Sequence, residues 1–282
     1  MKDSISNQAT TLYVETGEVS YAYRKFGEQS ELPLVLFHRF RGTMDHWDPD
    51  FLDKLAQTRT VIIFDNSGVA RSSGETPSSV ESMAQAASDF IQLLDYPKVD
   101  VLGWSLGGFI AQQIALDRPE TINKLIVAAS GPGGVAEAPA IPEKVLAVMQ
   151  KPNIETPMED LLFLFFTESE TSRAAGMQHL ARLEKRNEDF GPKITATTVA
   201  AQGKAVMSWA MGKDSAYARL ENLTQPILVA NGQHDIMINA HNSFAIAQRA
   251  PNAKLVLYPD SGHGFLFQHV DEFVEDVNRF LS

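Results

Sequence analysis

Gly103-Trp104-Ser105-Leu106-Gly107-Gly108, a serine set among glycines at fixed spacing, is the stretch of this chain with the clearest capacity for chemistry. Apolar residues lead into Gly103, and a helix-like run, Phe109 to Leu116, follows Gly108. That order predicts a strand that stops, turns sharply with Ser105 at the apex and enters a helix at once, leaving the hydroxyl clear of the sheet. Gly103 and Gly107 suit a crossing of strand and helix too tight for side chains, and Gly108 keeps the first turn slim. At a helix N-terminus, unpaired backbone N–H groups can stabilise an oxyanion. The same hexapeptide also reads as an ordinary glycine-rich turn, so its surroundings must discriminate.

A serine hydroxyl attacks a carbonyl when a base takes its proton and an acid holds that base in the right tautomer. His263, in Ser261-Gly262-His263-Gly264, directly follows the apolar run that ends at Tyr258. Asp235, in Asn231-Gly232-Gln233-His234-Asp235, follows the run Pro226 to Ala230. If both runs are strands of one parallel sheet, their exits share a carboxyl edge with the turn after Val99 to Leu102. His269 is a rival base, but its place at the start of the last helix suits a surface role. Asp260 is a rival acid, yet it lies in the same loop as His263 and would struggle to reach the far ring nitrogen. Asp45, His46, Asp48 and Asp50 lack the glycine and terminal glutamate of a calcium loop and any HxxxH partner, so no metal is expected.

The elements that must hold these groups can be read from hydrophobic pattern. Thr11 to Glu15 and Val19 to Phe26 look like an antiparallel start, the second alternating as a half-buried strand does. Continuous apolar runs follow at Pro33 to Phe37, Thr60 to Phe64, Val99 to Leu102, Lys124 to Ala129, Pro226 to Ala230 and Lys254 to Tyr258. Runs without alternation suit strands covered on both faces, and helical stretches between them supply the cover. One such helix carries Met83, Ala86, Ala87, Phe90, Ile91 and Leu94 on a stripe, behind a Ser78 to Glu81 capping box. Strands alternating with helices predict a parallel, doubly wound sheet.

That rhythm breaks at Gly131-Pro132-Gly133-Gly134, after which some ninety residues show no convincing strand. The segment reads as inserted helices, one starting at Thr156-Pro157 before the apolar run Leu161 to Phe166. Later stretches carry Met177, Leu180 and Leu183, then Val206, Met207, Trp209 and Met211. Singly such residues are core; together they suit a lid over an apolar pocket.

Composition narrows the partners. The 282 residues are 44% hydrophobic and 21% charged, an ordinary balance for a soluble globular protein. A formal net charge of -11 opposes binding to nucleic acid, which depends on clustered Lys and Arg. With no cysteine, thiolate nucleophiles and Cys-ligated metals are excluded. No stretch has the apolar length for export or membrane spanning, so a cytoplasmic location and no membrane partner are expected. A homodimer is compatible with all of this.

The serine turn, the acid and histidine loops, the helical insertion and the turn Asp65-Asn66-Ser67-Gly68-Val69-Ala70-Arg71-Ser72 together resemble the α/β-hydrolase superfamily over nearly the whole chain. The resemblance implies an α/β-hydrolase fold: a mostly parallel, doubly wound sheet with an inserted helical cap. The core domain would be 1–130 and 223–282, the cap 131–222. Ser105, Asp235 and His263 would be nucleophile, acid and base, in the chain order such an elbow implies. It also implies backbone oxyanion donors at Leu106 and Phe40. The second comes from His38-Arg39-Phe40-Arg41-Gly42, which is similar to the family's His-Gly-x-x-Gly but carries Arg39 where glycine is usual. Arg39 and Arg41 either clamp a substrate carboxylate or carbonyl or pair with Asp45 or Asp48. His38 is expected to hydrogen-bond within its loop; Trp104 and Trp209 are candidates for pocket lining.

Ser105 at the elbow disfavours dehalogenase and epoxide-hydrolase chemistry, which use Asp there. The implied activity is cofactor-free hydrolysis of a small-to-medium, largely apolar carboxylic ester or lactone through an acyl-enzyme. The elbow is similar to that of small capped lactonases, acyl-homoserine lactone hydrolases among them. Acyl transfer or perhydrolysis, carbon–carbon bond hydrolysis and a ligand-binding receptor with little turnover are the alternatives on the same framework.

Overall fold

The computed structural model describes residues 4–17, 19–151, 156–186 and 189–282. Eight strands form one sheet: β1 (Leu12–Thr16), β2 (Val19–Gly27), β3 (Leu34–Phe37), β4 (Thr60–Phe64), β5 (Val99–Trp104), β6 (Ile122–Ala128), β7 (Ile227–Gly232) and β8 (Ala253–Tyr258). Their spatial order is β1-β2-β4-β3-β5-β6-β7-β8. The first two pairings, β1 with β2 and β2 with β4, are antiparallel, and the other five are parallel.

The helices are α1 (Ile5–Gln8), α2 (Pro49–Leu55), α3 (Val80–Leu93), α4 (Leu106–Asp117), α5 (Glu143–Met149), α6 (Met158–Phe165), α7 (Glu170–Leu183), α8 (Ala196–Ala210), α9 (Ala240–Arg249), α10 (Phe265–Gln268) and α11 (Val270–Leu281). Alternate strand residues feed two cores. Leu34, Leu36, Val61, Ile63 and Leu102 pack with α2, α10 and α11. Val35, Phe37, Ile62, Val101 and Leu125 pack with α3, α4 and α9. Coverage of both faces is why these strands are apolar at every position. On α11, Val270, Phe273, Val274 and Val277 form a buried stripe, and Phe273 stacks on Phe51 of α2 at 5.7 Å and 7°. Each such side chain contributes about 1.5–3 kcal/mol by leaving water.

Between β6 and β7 the described residues contain four helices, α5 to α8, a short 3-10 turn at Tyr217–Asn222 and no strand. The structure revises two expected helix starts. Ser79, not Ser78, caps α3, because its extended backbone aims the hydroxyl at the Ser82 N–H, while Glu81 sits one position short of the capping-box site. Pro157 precedes α6 with no side-chain cap bond, so Thr156 lies one residue too early. Met177, Met207 and Met211, read singly as core and together as part of a lid, are exposed. Among the described residues no helix is long and apolar enough to cross a membrane.

Candidate active site

β5 ends at Trp104, and Ser105 turns the chain into α4 with φ 58 and ψ -119, a conformation that side-chain-bearing residues rarely adopt. The turn is held from behind: the Ser105 N–H donates to the Ala128 carbonyl at 3.0 Å, and its own carbonyl accepts from the Ser130 hydroxyl at 2.8 Å. A Cβ on Gly103 would strike the Gly107 carbonyl, and one on Gly107 would strike that of Phe37. Only glycine permits this crossing of β5, β3 and α4.

Two further exits converge on the same carboxyl edge. Past β7, Asp235 Oδ1 accepts from the N–H groups of Met237 at 2.8 Å and Ile238 at 2.9 Å. Its Oδ2 lies 2.8 Å from Nδ1 of His263, which stands in the loop after β8; both side chains are fully buried. The His263 carbonyl accepts from the Trp104 indole at 3.0 Å, tying this loop to the serine turn. His263 Nε2 is buried with no hydrogen-bond partner. It opens onto a pocket shared with Ser105, Phe40, Arg39 and the α6 residues Leu164 and Phe165.

The loop after β3 completes the pocket. Gly42 N–H donates to the Arg39 carbonyl at 3.0 Å, closing a turn over residues 39–42, and Arg39 N–H donates to His38 Nδ1 at 2.8 Å. His38 thus makes the hydrogen bond within the loop that its position suggested. Burial, reinforced by the Arg39 charge, holds its imidazole well below the ordinary range and therefore neutral. Neither Phe40 N–H nor Leu106 N–H donates to any protein acceptor among the described residues. Leu106 opens α4, whose first N–H groups have no partner within the helix.

Other expected residues fall elsewhere. Trp209 is buried away from the pocket, stacked on Phe109 at 5.4 Å with its indole N–H on the Gly131 carbonyl. Trp104 braces the pocket from behind, its ring 5.9 Å from that of His263. His269 meets the Pro259 carbonyl and Glu272, and Asp260 accepts from Thr167 and Ser169; neither touches His263.

The acids suggested as partners for the loop arginines are otherwise engaged. Asp45 pairs with Arg24 at 2.5 Å and Arg186 at 3.6 Å, and Asp48 with His179 at 2.7 Å and Arg182 at 2.6 Å. Arg41 instead reaches the carbonyls of Met149 and Lys151 at the end of α5. Asp50 is paired with Lys54 at 2.8 Å. Two features were not anticipated. The α6 residues Leu164 and Phe165 line the pocket, from a run that sequence marked as helical without orienting it. Asp65, after β4, is a buried carboxylate that accepts from Met44 and Arg71 N–H groups, and burial pushes it up to about 7.

Comparison with known proteins agrees with this architecture. The family model described as alpha/beta hydrolase fold matches residues 33–270. An alpha/beta hydrolase fold protein from Chitinophaga pinensis superposes with a TM-score of 0.91 at 37% identity, covering 99% of each chain. A structure described as an N-acyl homoserine lactone degrading enzyme superposes at 0.75 with 25% identity, over 95% of this chain and 100% of its own. In sequence, a poly(3-hydroxyalkanoate) depolymerase of Ectopseudomonas oleovorans is 29% identical over 91% of this chain and 86% of its own length. With the family match running over most of its length, the chain belongs to the alpha/beta hydrolase fold family.

Proposed function

We propose that this protein is a carboxylic ester hydrolase, acting on small esters or lactones through an acyl-enzyme on Ser105. Relatives named for ester and lactone cleavage support that reaction class. The observation that carries the assignment of residues is His263 Nε2: buried, unbonded, and on a residue that lines one pocket with Ser105. An imidazole so placed takes the Ser105 proton as Oγ attacks the substrate carbonyl and returns it to the leaving alkoxide. Asp235 keeps the other ring proton on Nδ1, leaving Nε2 free as the base. The Phe40 and Leu106 N–H groups, unclaimed by any acceptor among the described residues, receive the oxyanion. Water activated by His263 then releases the acid. His263 Nε2 has no hydrogen-bond partner among the described residues, and in this reading its bond to Ser105 Oγ is made in the substrate complex. The inserted helices of 131–222 supply the pocket wall facing the serine, the part of a cap.

The test is a panel of p-nitrophenyl esters of graded acyl length and lactones of small and large ring, run on the parent and on Ser105→Ala. The parent should give a burst of nitrophenol and steady turnover. Ser105→Ala should lose about 10³-fold or more in kcat while keeping the parent's unfolding midpoint. Turnover at the parental rate in that variant overturns the assignment.

A further inference from the structure

Arg39 stands in the turn of residues 39–42 after β3 and lines the pocket of Ser105 and His263. The guanidinium carbon stands 5.2 Å from the Phe165 ring and 5.7 Å from the Trp104 ring. The His263 imidazole lies against the same two rings, at 5.6 and 5.9 Å. Cation and base are therefore no more than about 11 Å apart, along one aromatic wall.

Arg39 has no carboxylate within ion-pair distance among the described residues. Its Nη1 donates to the Phe40 carbonyl at 2.8 Å, and its Nε is buried without a partner. The acids around it are spent: Asp45 on Arg24 and Arg186, Asp48 on His179 and Arg182. Asp65, which lines a neighbouring pocket with Arg39, is turned to the backbone of Met44 and Arg71, and burial favours its protonated form. Burial and the neighbouring Arg41 bring Arg39 down to about 10, which leaves it charged at neutral pH. A guanidinium set beside two rings, with no carboxylate on it among the described residues and its Nε unused, is costly to the free protein and suited to a planar anion.

We propose that Arg39 binds a carboxylate of the substrate, so that the preferred substrates are esters or lactones whose acyl part carries a second, free carboxylate a few bonds from the scissile carbonyl. This rests on Ser105 being the nucleophile, and it replaces the expectation of a largely apolar substrate with that of a half-ester. Phe165, Leu164 and Leu161 give the same pocket an apolar lining for the chain between the two carbonyl groups.

The experiment compares monoethyl with diethyl esters of succinate, glutarate and adipate on the parent, Arg39→Met, Arg39→Lys and Ser105→Ala. For at least one chain length the parent should favour the monoester in kcat/KM by about tenfold or more. Arg39→Met should lower that monoester-to-diester ratio by about 10- to 100-fold, and Arg39→Lys should recover part of it. The free dicarboxylate of matching length should inhibit the parent competitively, with Ki rising by a similar factor in Arg39→Met. A parent that prefers the diester at every length, or a ratio that Arg39→Met leaves unchanged, overturns the proposal. If Arg39→Met does not fold, the parent's own preference and its inhibition by dicarboxylates decide. Undiminished turnover in Ser105→Ala would instead sink the serine assignment, whatever the ratios.

Discussion

Two histidine and aspartate pairs are buried in this molecule at almost the same distance, His263 with Asp235 at 2.8 Å and His179 with Asp48 at 2.7 Å. Both use Nδ1, and both aspartates are fully buried. Their surroundings differ. Asp235 spends its second oxygen on two backbone N–H groups, so His263 is its single side-chain partner. Asp48 caps α2 and is also gripped by Arg182 through two nitrogens, at 2.6 to 3.0 Å. Despite burial, which pushes it up, His179 and Arg182 hold Asp48 below the usual carboxylate range. The His179 ring lies flat on Phe267 at 4.2 Å and 4°. A buried dyad is thus not a catalytic signature. In one place it holds an imidazole beside a pocket that Ser105 also lines; in the other it ties the inserted α7 to the core helix α2.

The comparison breaks most sharply at Asp235. Asp235→Asn would place an amide donor where the acceptor now stands, and His263 would move its proton to Nε2, the nitrogen that must be free to act as base. The expected loss in kcat is about 10³- to 10⁴-fold, read as the steady-state rate on the best ester of the panel. Loss of less than tenfold would place Asp235 with Asp48, as structure.

Asp48→Asn is the opposite case. The amide oxygen can still cap α2, but His179 and Arg182 lose their anion, at a cost of about 3–5 kcal/mol by the behaviour of broken buried pairs. The effect should appear as a lower urea midpoint, with kcat per folded molecule within about twofold of the parent's. A large fall in kcat at unchanged midpoint would mean that α7 is positioned for chemistry and the contrast between the two dyads is false.

Sequence patterns revealed most of the fold and the frame of the site for a common reason: both depend on where strands end. The apolar runs mark β3 to β8, and in a parallel sheet those ends share an edge, so the loops bearing Ser105, Asp235 and His263 had to lie together. Helix faces were harder. Met177, Met207 and Met211 sit at helical spacing but on the outer side, because spacing alone does not say which neighbour a face meets. The Asp48 to His179 contact joins positions 131 residues apart and leaves no local trace, although Asp48 before Pro49 is a recognisable helix start. The isolation of Arg39 was equally hidden, since two acids within ten residues of it offered partners that turned out to be taken.

A third histidine, His46, sharpens the contrast, because it has no carboxylate at all among the described residues. Its Nδ1 accepts from the Thr43 N–H at 3.0 Å, and burial, with the charges of Arg39 and His179, brings it from 6.5 down to about 3. The unfolded chain therefore takes up a proton near pH 6.5 that the folded chain refuses until about pH 3. Between those values the unfolded state binds more protons, so this group's contribution to stability is present above pH 6.5 and is lost as the pH falls. His46→Asn keeps an acceptor for Thr43 and removes the titration. Its urea-unfolding free energy should fall less than the parent's between pH 6.5 and 5, by on the order of 1 kcal/mol. An equal slope in both proteins would show that His46 takes up its proton alike in the folded and the unfolded chain, which overturns its being held neutral by burial.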